Sequence, residues 1–530
     1  MSAPPPTDVL VIGSGMAGAA LAARLSARGV RVVCLEQGPW VLAGEHPHYR
    51  DEFEFALRRE WNRSPAGRRH PADYPVAAAR VDVMLYNGVG GSTNHYNAHW
   101  PRLRPVDFRK GTEHGLAGAA DWPLAYEDLA PYYERNDAAL GIAGLAGDPA
   151  SPPRAPRQTP PLPLGPHGRR LAAAFEGLGW HWWPADNAII TADYDGRVAC
   201  NQCGACRNGC PRGSLAMMSR TYWPRALQNG VELRPLARVE QITTDERGRA
   251  DGAVYVDLRT GARHRQRAAL VALCANGLGS PRLLLLSANG RHPAGLANGS
   301  GLVGRYLMHH AYAEATVVFP EPIDGFAGAY GAPLWSQEFA ETDVRRGFVN
   351  GFTLQVGRGL TAAHAALALP WGRAHRAAFA RFFNHEVWIG IQGEDLALPD
   401  NRVELDREHV DSSGLPGVRV SWRVHPNDRR LVEYGLARTR ELAAAAGAEV
   451  LTTGVADPNP GWHLLGTCRM GADPARSVTD ADHQAWEVPN LYICDGSSFV
   501  TSGAVNPTST IGALALRCAD RILARDDAHA

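Results

Sequence analysis

The chain has 530 residues, 45% hydrophobic and 20% charged, with 54 Lys+Arg against 54 Asp+Glu. That length exceeds the roughly 250–300 residues one hydrophobic core supports, so two lobes around a cleft are expected. The charge balance argues against nucleic acid or an anionic membrane as the main partner, and no apolar run nears the ~20 residues of a membrane span; Leu283–Leu286 is short and follows Pro281.

The start, Met1-Ser2-Ala3-Pro4-Pro5-Pro6-Thr7-Asp8, has no basic segment followed by an apolar one, so no secretory signal is read and a cytoplasmic protein is expected. Asp8–Ile12 is a β-branched run suited to a strand buried on both faces. It leads into Gly13-Ser14-Gly15-Met16-Ala17-Gly18, then a helix-forming stretch over Ala19–Gly29, a second strand over Val30–Leu35, and Glu36. Strand, glycine turn, helix, strand and acid in this order point to a dinucleotide site. Gly13 permits the tight turn, Gly15 lets a pyrophosphate approach the backbone, and Gly18 lets the helix pack close to the strand. The helix N-terminus offers free N–H groups to phosphates, and Glu36 accepts ribose hydroxyls while repelling a 2′-phosphate. The unit alone does not separate FAD from NAD.

Residues 147–166 are Pro-rich without period and read as an extended surface connection between lobes. The run Cys200-Asn201-Gln202-Cys203-Gly204-Ala205-Cys206-Arg207-Asn208-Gly209-Cys210-Pro211 has ferredoxin-like spacing, C-x2-C-x2-C-x3-C-P. Three readings compete for Cys200, Cys203, Cys206 and Cys210: an iron–sulfur cluster, a structural metal or disulfides, and free thiols. Of the nine cysteines, Cys34, Cys274 and Cys494 fall in apolar strand contexts and read as small core residues. Strands are expected at Val231–Arg234, Ala253–Asp257 and Ala269–Cys274, then mixed short strands and helices, including Arg429–Ala446, over 311–450.

The C-terminal quarter carries His463-Leu464-Leu465-Gly466-Thr467-Cys468-Arg469-Met470-Gly471, Asn490–Ser497, and Asn506-Pro507-Thr508-Ser509-Thr510-Ile511-Gly512 before an apolar helix. With Gly88–Thr93, Cys274–Leu284 and Gly301–Arg305 in the same chain order, this closely resembles the glucose–methanol–choline (GMC) oxidoreductases, flavoenzymes that oxidise alcohols. The resemblance spans essentially the whole chain. It implies an α/β fold: a Rossmann-like FAD-binding domain from residues 1–110, 200–310 and 450–530. A discontinuous α+β substrate-binding domain with an antiparallel sheet would take 111–199 and 311–449.

By the same resemblance, Gly90, Gly91, Ser92, Thr93 and Asn94 lie along the flavin, and the Val239 backbone reads the adenine edge. Asp495 and Gly496 reach the pyrophosphate and ribityl region, and Pro507 and Thr508 the pyrimidine end. His463 resembles the catalytic histidine and Asn506 its partner position. A base must take the hydroxyl proton as hydride leaves the carbon for flavin N5; a neutral imidazole suits this, and an amide can hold the same oxygen. His95 is read as a flavin-side packing residue, because Asn94 displaces it from the position of covalent attachment in some relatives. The implied substrate is a CH–OH donor, with a sugar, amino-sugar or other polyol favoured, and the implied electron acceptor is oxygen or an external one. A long-chain alcohol enzyme and a flavin-containing lyase are the alternatives; Gly209–Leu215 lacks the Ala-Lys ending of the long-chain cysteine stretch.

Overall fold

The computed structural model describes residues 6–42, 45, 74–78, 80–116, 118–457 and 459–527. The reading of Met1–Pro5 as lacking a signal therefore lies outside the described residues.

The first motif folds as its pattern requires. The strand Thr7–Ile12 runs into a helix over Met16–Ser26, then a strand over Val32–Leu35. These strands pair in parallel, and Val33–Leu35 pairs in parallel with Glu232–Arg234. On the other side, Thr7–Ile12 pairs in parallel with the C-terminal half of a long strand, Arg263–Leu273, which also pairs in parallel with Leu491–Ile493. A sheet buried on both faces selects continuous apolar strands, and Val9–Ile12, Val32–Leu35, Val271–Leu273 and Leu491–Ile493 are all buried. The N-terminal half of Arg263–Leu273 turns away into an antiparallel meander with Ala250–Asp257 and Ala237–Thr244. The helix Met16–Ser26 is largely alanine on its buried face, and Ala515, Leu516 and Ala519 of the long helix Thr508–Asp527 share its core.

A second, wholly antiparallel sheet is ordered Glu449–Val455, Ala311–Val318, Glu386–Gly393, Phe352–Val356, Leu334–Ser336 and Trp183–Pro184. Alternation along its strands sends one set of side chains into a core with the helices Gly165–Gly177 and Pro426–Ala445. The other set, Tyr312, Glu314, Thr316, Gln355, Glu386, Trp388 and Gln392, faces a cavity.

The Pro-rich connection carries no helix or strand up to Leu164 and leaves Pro153, Ala155 and Pro156 exposed, so it runs over the surface as its composition implies, but it is pinned there. Arg154 bonds Asp186 at 2.7 Å and Arg157 bonds Asp137 at 2.6 Å, with all four side chains buried. The absence of a helical or strand period correctly marks missing regular structure, but these arginines anchor the segment.

Candidate active site

Both sheets open on one cavity of about 600 Å3, within the ~300–1,000 Å3 usual for small-molecule sites. The glycine turn forms one end. Gly13 has φ +100°, and a Cβ there would meet the Cys274 carbonyl oxygen at 2.4 Å. A Cβ on Gly18 would sit 2.0 Å from the Gly13 carbonyl oxygen, so helix and turn touch backbone to backbone. Gly15 has nothing within 4 Å of its would-be Cβ and begins a helix whose N-terminus no side chain caps. That combination is an open anion seat. Glu36 lines the same end; its Oε2 accepts from Ser14 N and Oγ, and its Oε1 from Gly38 N. The Gln37 backbone also donates to this carboxylate, which is thereby held rigidly at the cavity wall. Burial raises its pKa, opposed by those hydrogen bonds.

Gly90 and Gly91 turn at φ +95° and +57°, and the Gly91 backbone presses against Gly15. Gly91, Ser92 and Thr93 line the cavity, whereas the Asn94 amide donates to Val89 O and accepts from Ser219 Oγ, bracing the loop from behind. Val239 lines the cavity where its strand bulges; the register slips between Val239 and Gln241. A bulge leaves backbone groups outside the ladder. Asp495 accepts from Ser497 N, Asn276 N and Ser280 Oγ, so it ties the Leu491–Ile493 strand end to the start of the helix Asn276–Leu286. Gly496, Asn506, Pro507 and Thr508 complete this wall, and Thr508 opens the C-terminal helix onto the cavity.

His463 and Asn506 line the same cavity, as the sequence implied. The His463 Nδ1 is buried without a hydrogen-bond partner, which leaves Nε2 as the ring nitrogen for the cavity. Burial pushes its pKa well below the ordinary histidine value, and His310, His99 and His309 add to the shift. The His310 ring stands edge-on to it at 4.9 Å, and His309 Nδ1 donates to its carbonyl oxygen. Asn506 Oδ1 accepts from Gln355 Nε2 at 2.6 Å, so the amide's N–H groups are the part left over.

Several lining residues have no sequence motif: His99, Tyr312, Tyr330, Gln355, Trp388 and Trp462. Strand alternation over 311–318 and 386–393 is the signal that marks Tyr312 and Trp388, once those strands are assigned. His95 lines the cavity too, held by Nδ1 to Arg207 O and edge-on to Tyr86.

All nine cysteines are free thiols, so the disulfide reading of the run does not hold. No three of Cys200, Cys203, Cys206 and Cys210 bring their sulfurs within 4.8 Å of one another. A single tetrahedral ion with metal–sulfur bonds of ~2.3 Å needs its sulfurs about 3.8 Å apart, so that structural-metal reading fails as well. The loop adjoins the cavity through Arg207, whose guanidinium lies 4.4 Å from the Tyr330 ring centre, while Cys206 Sγ accepts from Tyr330 N.

Family models described as GMC oxidoreductase match residues 154–312 and 397–515, and one described as an NAD(P)-binding Rossmann-like domain matches 11–63. The chain is 53% identical to the 2-methyl-1,2-propanediol dehydrogenase of Mycolicibacterium austroafricanum over 98% of this chain and 95% of that one. It is 31% identical to the fructose dehydrogenase large subunit of Gluconobacter japonicus, covering 97% of each. Among solved structures, a formate oxidase from Aspergillus oryzae superposes with a TM-score of 0.67 at 15% identity, covering 99% of each chain.

Proposed function

This chain belongs to the GMC oxidoreductase family, and from that premise we propose that it is an FAD-dependent dehydrogenase of a small polyol, oxidising a CH–OH group with His463 as base. The observation that carries this is the convergence of His463 and Asn506 on the cavity that also holds the glycine turn. The cradle fits FAD: an open seat over Gly15, the Glu36 carboxylate at the same end, and a second helix N-terminus at Thr508 would hold it. When bound, FAD supplies the hydride acceptor.

The protein's own residues handle the proton and the oxygen. Burial keeps His463 neutral, so its Nε2 lone pair is available at neutral pH. Because burial disfavours the charged ring, protonating it is costly until a negative oxygen develops beside it, so the proton moves as the hydroxyl becomes an alkoxide. The Asn506 N–H groups donate to that oxygen. Polar Tyr312, Thr316 and Gln392 share one wall with aromatic Trp388 and Trp462, which suits a ligand with several hydroxyls on a short carbon frame. The 53% identical relative acts on a branched vicinal diol, which places such diols ahead of sugars and long-chain alcohols.

The lobes we assign are 1–110, 200–310 and 450–530 for FAD and 111–199 with 311–449 for substrate. The last boundary moves to about residue 455, because Glu449–Val455 pairs in the antiparallel sheet. We place the protein in the cytoplasm; among the described residues no helix is long and apolar enough to cross a membrane. Cell fractionation checks the location. For the cysteine run we propose an iron–sulfur relay. What supports it is that Cys200 and Cys206 each feel the charge of other cysteines of the run, at separations wider than one tetrahedral ion needs, and that the Arg358 charge beside Cys203 and Cys206 offsets thiolate charge. Iron and acid-labile sulfide in stoichiometric amounts support that role, and their absence from anaerobically purified protein refutes it.

Anaerobic addition of 2-methyl-1,2-propanediol tests the main reading. Loss of the visible flavin bands is expected, whereas unbleached bands with every alcohol tried, together with cleavage of the added compound, favour the lyase.

A further inference from the structure

The cavity contains a hydrogen-bond chain whose first two members, His99 and Gln355, lie outside the recognised motifs. His99 is buried and its Nδ1 contacts Gln355 Oε1 at 3.1 Å. An amide oxygen only accepts, so His99 is the Nδ1–H tautomer and donates. The oxygen being taken, Gln355 has only its NH2 to offer onward, and it donates to Asn506 Oδ1 at 2.6 Å. Asn506 also lies beside the His99 ring. Each link fixes the polarity of the next, and the chain ends on the Asn506 NH2, in the cavity that His463 also lines.

We propose that His99 and Gln355 are positioning residues that lock the Asn506 amide with its N–H groups, not its oxygen, toward the substrate hydroxyl. An unlocked amide has two orientations of similar cost, and only one helps. With the oxygen inward, the substrate oxygen would meet a lone pair as its own negative charge grows, which opposes the reaction. With the N–H inward, the same residue stabilises that charge. Gln355 reaches the site from the antiparallel sheet and His99 from the loop after the flavin-side turn, so the lock also joins the two halves of the cavity. Burial holds His99 neutral, with its pKa lowered to about 4, so the polarity persists throughout the range of turnover. The inference rests on the reading of Asn506 given above.

Gln355→Glu tests it with almost no change of shape. A carboxylate only accepts, so it draws the Asn506 NH2 toward itself and turns the amide oxygen into the cavity. Binding is read with 2-methyl-2-propanol, which has no carbinol hydrogen to lose, from its perturbation of the flavin absorption bands. Turnover is read with the diol. For Gln355→Glu we expect the dissociation constant of 2-methyl-2-propanol to rise about 5–10-fold, one hydrogen bond's worth. We expect kcat to fall about 100-fold, the scale of a lost oxyanion donor, with FAD content unchanged. In an Asn506→Ala background the same substitution should cost less than twofold, because the residue it acts through is gone. Normal binding and turnover in Gln355→Glu, or a full further loss in the double variant, overturns the proposal. Weakened 2-methyl-2-propanol binding in a protein that oxidises no alcohol would keep the lock and discard the dehydrogenase reading.

Discussion

Gly13 and Gly15 stand two residues apart in one turn, yet alanine at each should fail in a different way. At Gly13 the backbone has φ +100°, where a Cβ costs about 1–2 kcal/mol. That Cβ would also lie 2.4 Å from the Cys274 carbonyl oxygen, which is backbone and cannot swing aside, adding roughly 1–3 kcal/mol of overpacking. Gly13→Ala should therefore lose about 2–5 kcal/mol, a large part of the ~5–15 kcal/mol of a typical fold. Gly15 has φ −69° and nothing within 4 Å of its would-be Cβ. There alanine is compatible with the backbone and should leave the FAD-free protein as stable or gain about 0.4–1 kcal/mol. The methyl would project into the space assigned to the pyrophosphate. Urea unfolding of FAD-free protein, followed by titration with FAD, separates the two effects. We expect Gly13→Ala to unfold at much lower urea and Gly15→Ala to unfold as wild type but bind FAD at least tenfold more weakly. Wild-type FAD affinity in Gly15→Ala would refute the placement of the phosphates over that residue.

Other predictions follow from buried groups. His463→Gln should retain FAD, as judged by absorption, and lose at least 100-fold in kcat; undiminished turnover would remove His463 from the base role. Burial lowers the pKa of His309 and His483 to about 4 and that of His310 to about 3. Their folded values lie below the unfolded value near 6.5, so the unfolded chain binds more protons and stability is lost as pH falls from about 6.5 to about 4 for His309 and His483 and to about 3 for His310. His310→Gln should make the pH dependence of urea stability shallower by at most ~1.4 kcal/mol per pH unit; an unchanged slope contradicts the assignment. The Trp388 indole is seated against Gly357 and Gly390, where Cβ atoms would come within 1.9 and 2.5 Å of it. Gly390→Ala should push the ring into the cavity and raise KM more for a sugar alcohol than for a three-carbon diol; equal KM changes would place Trp388 outside the substrate space.

The dinucleotide unit is legible because it is local: Glu36 bonds Ser14 only 22 positions away, and every geometric requirement falls on a glycine or a β-branched run. His463 and Asn506 are legible only through their neighbours in motifs, since a lone histidine or asparagine has no period or spacing of its own. Gln355 and His99 stay hidden. Their mutual bond spans 256 positions, and the bond from Gln355 to Asn506 spans 151, distances over which a sequence pattern has no hold. The cysteine run shows the opposite limit. Its spacing is a strong signal, but spacing fixes only which thiols are close along the chain, and the structure leaves their sulfurs too far apart for one tetrahedral ion.

An alcohol dehydrogenase acting in this cavity must take hydride from a carbinol carbon. Anaerobic mixing of the protein with 2-methyl-1,2-propanediol, protonated or deuterated at the primary carbinol carbon, addresses it directly. Bleaching of the flavin bands should be several-fold slower with the deuterated diol. Bleaching at equal rates under conditions where the chemical step is isolated, or no bleaching by any polyol, would rule out hydride transfer from the carbinol carbon.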